Sequence, residues 1–313
     1  MNIGLDMMGG DFSPLEAVKG VQLYLKGTAA PATLFLVGDE NQIHPLLQEY
    51  SIPSGSVKVV HAEQVIGMNE HPTRALKEKQ QSSIAIGFHL LATGKMDAFI
   101  SAGNTGAMLV GALYSLKPIE GIQRPTICTI LPKENGKTGV LLDVGLNADC
   151  KPENLNQFAI LGTLYARHIL GVEQPRVGLL NIGEEEGKGN ILAQAAYPLL
   201  KENNQIHFIG NIEGRDLLLD KADVMVCEGF TGNVILKLAE SLFGITKRQE
   251  IRSEYFDRFD FELYGGTPLL GVTKPVIIGH GISRGRSFLN MINLAQKMIE
   301  TNLLEKMKES FLS

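Results

Sequence analysis

The sequence predicts an α/β protein built on a mostly parallel sheet. Three observations point there. Short β-rich runs alternate with helical periodicity along nearly the whole chain, as strands joined by helical crossovers do. The runs are almost continuously apolar, which suits strands covered on both faces. Most are followed by a cluster of Gly, Ser, Asn or Asp, and 34 of the 313 residues are glycine, against an average usage of roughly 7%. That excess belongs in tight turns and ligand-cradling loops.

The strand runs are Asn2–Asp6, Thr33–Val37, Val57–Val60, Ala98–Ser101, Thr126–Leu131, Gly139–Leu142, Arg176–Leu180, Ile206–Ile209, Val224–Cys227 and Pro275–Ile278. Ligands of open α/β sheets gather outside the carboxyl ends of strands, and the glycine-rich punctuation falls there. Thr246–Glu262 is dense in charge and reads as a solvated helical segment, part of a helical excursion over residues 241–262. From Arg286 to Lys308 the pattern predicts one helix. Phe288, Met291, Ile292, Ala295, Met298, Ile299 and Leu303 share its packing face. No internal repeat or linker divides the chain, so the expectation is one catalytic domain over 1–313, or two lobes with the active-site cleft between them.

Hydrophobic residues make up 44% and charged residues 20%, which excludes disordered and fibrous classes. The net charge of −5, from 29 basic and 34 acidic side chains, excludes a strongly basic nucleic-acid binder. An anionic ligand must then be held by a local site. Cys128, Cys150 and Cys227 show no CxxC spacing and form neither a disulfide framework nor a zinc site, so a cytoplasmic location is expected. The N-terminus lacks the pattern of a secretory signal, and no run of 18 apolar residues reads as a membrane span.

Several motif-like strings do not hold up. Gly136-Lys137-Thr138 lacks the glycine a phosphate loop needs five positions earlier, where Leu131 stands. Gly281-Ile282-Ser283-Arg284-Gly285 fits GxSxG, but no histidine follows Ser283 to complete a hydrolase triad. His61-Ala62-Glu63 has no PCxxC partner. His89 and His168 read as ordinary helix residues. Glu184-Glu185-Glu186 lacks spaced partners for a metal.

Four strand-end loops share small residues, amide side chains and exposed backbone N–H groups: Asp6–Asp11, Ser101–Ala107, Asn181–Asn190 and Glu228–Asn233. A helix N-terminus offers unpaired N–H groups and partial positive charge. Glycine lets the backbone approach an oxyanion, Ser, Thr and Asn add neutral donors, and a lysine adds a mobile charge. One such loop is plain turn chemistry; several at one sheet edge make an anion site.

These loops carry a resemblance to the PlsX-type phosphate acyltransferases of bacterial phospholipid synthesis. The family's DxMGGD stands at Asp6–Asp11, SAGNTGA at Ser101–Ala107, and LLNIGEE with KG at Leu180–Glu185 and Lys188-Gly189. GNxEGxD stands at Gly210–Asp216, the GFTGN turn at Gly229–Asn233, YGGxPLLG at Tyr264–Gly271 and HGxS at His280–Ser283. The resemblance runs from residue 1 to about 300. Leu146 stands where alanine is usual in LDVGAN, and Glu228 where aspartate is usual before GFTGN. The segment from Asn233 to Tyr264 is shorter than in most members.

The resemblance implies a three-layer αβα fold similar to the isocitrate/isopropylmalate dehydrogenase-like and phosphate acetyltransferase fold. It implies transfer of a long-chain acyl group from acyl carrier protein to inorganic phosphate, with no cofactor and no metal. It further implies a homodimer, a downstream glycerol-3-phosphate acyltransferase that uses the acyl phosphate, and peripheral contact with the inner face of the membrane, which the shortened segment puts in question. On this reading Lys188 screens the phosphate and the oxyanion, Asn233 donates to the carbonyl oxygen, and His280 protonates the leaving thiolate or serves a structural hydrogen bond. Ser101, Gly103, Asn104, Thr105 and Gly106 cradle phosphate. Asp6, Gly9, Gly10, Asp11, Asn147, Asn211 and Gly232 line the cleft, with Asp6 and Asp11 fixing turns. The alternatives are a phosphotransacylase using short acyl-CoA and a non-catalytic membrane-associated scaffold.

Overall fold

The computed structural model describes residues 1–312. In chain order its elements are β1 (Asn2–Asp6), α1 (Leu15–Gly27), β2 (Thr33–Gly38), α2 (Glu40–Glu49), β3 (Val57–His61), α3 (Pro72–Glu78), α4 (Ser83–Ala92), β4 (Ala98–Ser101) and α5 (Thr105–Ser115). There follow β5 (Thr126–Pro132), β6 (Thr138–Leu142), α6 (Pro152–His168), β7 (Arg176–Asn181), α7 (Ile191–Glu202), β8 (His207–Glu213) and β9 (Val224–Val226). The chain closes with α8 (Gly229–Arg248), α9 (Glu254–Asp257), β10 (Thr267–Leu270), β11 (Val276–Ile278), α10 (Gly285–Glu300) and α11 (Leu303–Leu312). Two compact units emerge: Met1–Lys117 with Phe261–Glu300, and Pro118–Asp260 with Thr301–Ser313.

In the first unit the strand order is β3-β2-β1-β4-β11-β10, parallel except for β10 against β11. Ile3, Leu5, Leu34, Leu36, Phe99, Ile100 and Ile277 are fully buried in it, because α1 and α10 cover one face while α4 covers the other. The order reverses between β1 and β4. Chain segments leaving those two strands therefore diverge to opposite faces, and a crevice opens at their carboxyl ends. The loops Asp6–Asp11 and Ser101–Gly106 sit at that switch point.

In the second unit the order is β5-β6-β9-β7-β8, with β5 antiparallel to β6 and the rest parallel. The loops after β6, β7 and β9 therefore leave the same edge of the sheet. They carry Asn147, Lys188 and the start of α8. Helix starts obey capping rules: Asn104, Asn190 and Glu228 each accept a backbone N–H from the third residue of the helix they open.

The α/β class and the mostly parallel sheet are as expected, with three local differences. β10 was not foreseen, because Gly265, Gly266 and Pro268 read as a turn; Pro268 nevertheless pairs with Ile277 across an antiparallel ladder. β8 runs on to Glu213 through a bulge. While β7 advances from Val177 to Leu179, β8 advances from Phe208 to Asn211, one residue more, and Gly210 takes φ +94° there. The helix expected over Arg286–Lys308 is two helices, broken where Asn302 adopts φ +51°, a left-handed conformation that asparagine tolerates better than most residues. Residues 241–248 are the last turns of α8, and α9 follows after a short connection.

Candidate active site

The first unit gathers three strand tips. Asp6, at the end of β1, is buried. Its Oδ2 accepts the Ser101 hydroxyl at 2.6 Å, and its Oδ1 accepts the Met8 N–H. Ser101 Oγ in turn accepts the Gly103 N–H at 2.9 Å. Burial pushes the Asp6 carboxyl above the usual carboxylate range, against the hydrogen bonds from Ser101, Ser83 and backbone N–H groups that oppose the shift. The loops after β1 and β4 touch through their glycines. A Cβ on Gly9 would lie 2.5 Å from Asp6 Oδ2 and 2.6 Å from the Gly103 nitrogen, so no larger residue fits. Gly10 takes φ +98°, which lets Asp11 N–H reach the Gly281 carbonyl at 2.7 Å.

His280 follows β11. It is half-buried beside Phe261, with ring centroids 4.7 Å apart. The ladder pairs Ile278 with Ser101, and Gly279 N–H donates to the Ser101 carbonyl, so His280 and the Ser101 loop belong to adjacent strand ends. Asn104 is buried and fully engaged. Its Oδ1 caps α5 on Ala107 N–H while its Nδ2 donates to the carbonyls of Gly67, Met68 and Glu70. The side chain thus locks the loop, which leaves backbone N–H groups and the exposed Thr105 hydroxyl as donors toward an anion. Thr105 is exposed at the first position of α5; Gly106 follows, packed against Pro72 at the start of α3. Ser283 is buried, and its hydroxyl accepts from Ser287, a core position and not a nucleophile elbow.

The second unit holds another set. Buried Asp143 accepts N–H groups from Gly145 and Leu146 on Oδ1, and from the Asn147 backbone and side chain on Oδ2. Burial raises this carboxyl above its ordinary value despite those bonds. Asn147 also donates to the Pro125 carbonyl. Gly232 sits so close that a Cβ would fall 1.8 Å from the Asp143 carbonyl oxygen. Asn233, one residue on, is exposed and spends one amide N–H on the Val144 carbonyl at 3.1 Å, leaving its second N–H available.

Lys188 is exposed, and no ion pair engages its ammonium among the described residues. Two of the three carboxylates just before it in sequence are occupied elsewhere, Glu184 with Lys221 and Glu186 with Lys201. The Lys188 loop is pinned from below. Asn181 Nδ2 donates to the Lys188 carbonyl and to Asn211 Oδ1, and Asn211 Nδ2 donates to the Glu185 carbonyl. Asn211 is buried, a clamp beneath the loop, brought there by the β8 bulge. Sequence reasoning gave Asp143 and Asn181 no individual role and missed the 67–70 segment. The D-x-x-x-N spacing of Asp143 and Asn147 was the available signal for the first. The thiols offer no ready nucleophile: burial pushes half-buried Cys150 up to about 12, and raises buried Cys128 and Cys227 well above the usual thiol range.

The fold is a phosphotransacetylase-like α/β fold. A phosphotransacetylase from Streptococcus pyogenes superposes with TM-score 0.67 at 18% identity, covering 96% of this chain and 94% of that one. A branched-chain phosphotransacylase from Enterococcus faecalis V583 gives 0.63 at 17% identity, covering 95% and 99%. At such identities the likeness concerns the fold alone. More specifically, residues 1–306 match the family model described as "Fatty acid synthesis protein", and the chain belongs to that family. Relatives named phosphate acyltransferase include those of Dictyoglomus turgidum, 43% identical over 99% of this chain and 97% of that one, and Pelotomaculum thermopropionicum, 45% identical over 99% and 95%.

Proposed function

We propose that the protein is a phosphate acyltransferase, moving a long-chain fatty acyl group from an acyl carrier protein thioester to inorganic phosphate. The observation that carries this reading, given the family, is the contact of two glycine-rich tips at the β1/β4 switch point, where Gly9 meets Gly103. Such a place suits a tetrahedral anion. The first unit supplies phosphate recognition through backbone N–H groups of Asn104 to Gly106 at the start of α5, with Asp6, Ser101 and the Gly103 N–H holding the turn. Asp6, Gly9, Gly10 and Asp11 shape it.

A phosphate oxygen attacks the thioester carbon, the C–S bond breaks, and its electron pair leaves on sulfur. A thiol with a pKa of about 8.5 departs readily, so no covalent enzyme intermediate is needed. Lys188 offsets the charge of phosphate and oxyanion. The spare N–H of Asn233 donates to the carbonyl oxygen as charge develops, a donor of a kind worth roughly 10²–10³ in kcat. Asn147, Asn211 and Gly232 hold the turns that carry these two residues. His280 is the candidate proton donor to the departing thiolate. Trapping the acyl phosphate with hydroxylamine tests the reaction. Product from a carrier-protein thioester plus phosphate supports it. Product only from short acyl-CoA donors defeats it in favour of a phosphotransacylase, and no product from any donor favours a scaffold.

Carrier protein is the proposed acyl donor, and a glycerol-3-phosphate acyltransferase the consumer of the product. A homodimer working in the cytoplasm at the inner face of the membrane completes the reading. No helix of the described residues is long and apolar enough to cross a membrane. Phe230, Val234, Leu238 and Ile245 are exposed along α8 and support peripheral contact or self-association. Vesicle co-sedimentation with and without Leu238→Asp separates the two from simple exposure.

A further inference from the structure

The first unit holds a groove of about 680 Å³ between α3, α4 and α5, a volume in the range of small-molecule sites. Resting on the acyl-transfer reading, we propose that this groove holds the hydrocarbon tail of the acyl donor and sets its chain length. Three observations converge on that occupant.

One end of the groove adjoins the phosphate turn. Thr73 lines it, and its neighbour Pro72 packs against Gly106, where a Cβ would lie 2.4 Å from the proline ring. The other end reaches Tyr114 and Ser115 in the last turn of α5. Nine residues of helix separate Gly106 from Ser115, roughly 14 Å of rise, which suits an extended tail.

Part of the wall, between polar edges, is apolar without an internal reason to be so. α4 and α5 bury one face each, through Ile84, Phe88 and Leu91 and through Ala107, Met108 and Ala112. Their outward positions would then be polar in an ordinary surface helix. Instead Ala85, Ile86 and Val110 are half-buried along the groove, and Tyr114 is 80% exposed at its end. At Gly111 a side chain would strike the Phe88 ring at 2.5 Å, so the floor is as deep as the helix packing allows.

The lining holds no carboxylate; its ionisable side chains are Lys77, His89 and Tyr114, and Gln80 and Gln81 add a polar edge. The second unit's pocket of about 460 Å³ beside the Lys188 loop, with Leu155, Leu179, Leu180 and Leu192 in its wall, is the competing place for the tail. A linear tail gains about fourfold in affinity per methylene it buries, until the groove is filled.

The test measures kcat/KM for butyryl, octanoyl, dodecanoyl and hexadecanoyl thioesters of carrier protein, with wild type and Val110→Phe. A ring in the groove displacing about two methylenes should lower the hexadecanoyl-to-butyryl ratio by at least tenfold. An unchanged ratio overturns the proposal, including the case in which a second copy of the chain covers this face and Val110→Phe alters only the sedimentation coefficient. Independently of that variant, a hexadecanoyl donor with a terminal diazirine is photolysed on the wild-type protein. Label on α3, α4 or α5 peptides is expected; label confined to the second unit overturns the proposal. If no donor yields acyl hydroxamate with wild type, the acyl-transfer reading itself falls and takes the groove's assignment with it.

Discussion

Lys188 and Ser101 separate cleanly because one is exposed and unpaired while the other is buried and fully bonded. Lys188 is not held by a salt bridge among the described residues, so Lys188→Ala should leave the melting temperature within experimental scatter. On the proposed role it lowers kcat by about 10²-fold or more. Lys188→Arg should restore only part, since a planar guanidinium does not reproduce a compact ammonium. A hydroxylamine assay beside a thermal melt reads both. Ser101→Ala behaves differently. It removes the donor to buried Asp6 and the acceptor of Gly103 N–H together. Leaving those groups unsatisfied costs about 1–3 kcal/mol, and the loosened turn should raise the KM for phosphate. An unchanged melting temperature would show that the Asp6–Ser101–Gly103 chain does not hold the loop.

At the level of the element, the strands whose ends carry the loops were legible because apolar runs ending in glycine and amide clusters leave little choice of structure. β1 and β4 agree with the sequence reading at both ends. What was not legible depends on partners far along the chain. Pro268 gives up a ladder donor, and only its antiparallel pairing with Ile277 makes β10 a strand. Gly210 reads as a stop, yet inside a parallel pair it is a bulge that turns Asn211 onto Asn181. The site was legible as a set of loops and not as a set of jobs. Asn104 looks like an anion donor in sequence, whereas three carbonyls take its amide hydrogens. The start of α8 provides a sharp test of such packing. Gly232→Ala places a methyl 1.8 Å from a backbone oxygen, so the helix must retreat from the Asp143 turn. Overpacking of this kind costs about 1–3 kcal/mol or more, read as a lower denaturant midpoint, whereas Gly136→Ala, with open space around it, loses only what its φ of +86° demands.

For the molecule as a whole, the pH range of stability rests on where buried carboxylates have found cations. At the amino ends of β6, β7 and β9, away from the candidate site residues, Lys133 is fully buried and pairs with Asp223 at 2.7 Å. Arg176 bonds Asp223 through Nε and its backbone N–H, and reaches Asp220 as well. Burial opposes ionisation of Asp223, but the hydrogen bonds from Arg176 and Lys133 and the lysine's charge outweigh it and hold the carboxyl well below its ordinary value. Asp220 is likewise lowered, chiefly by Arg176. Because these folded-state values lie below the unfolded ones, their contribution is complete above the unfolded carboxylate pKa of about 3.9. It disappears as pH falls through the folded-state values. Asp6 and Asp143 have raised values and act with the opposite sign: the unfolded chain ionises first, so they subtract stability as pH rises above about 3.9. Thermal melts from neutral pH into acid should therefore fall steeply for wild type below about pH 4, and less steeply for Asp223→Asn, which enters the series already destabilised. Lys133→Ala removes one of the two cations on buried Asp223, leaving Arg176 as the other, and should cost about 1.5–3 kcal/mol at neutral pH. Lys137→Ala, whose partner is the same Asp220 but whose side chain is 66% exposed, should cost no more than about 1 kcal/mol. Equal losses for the two lysines would mean that burial of the pair, and with it this account of acid sensitivity, is wrong.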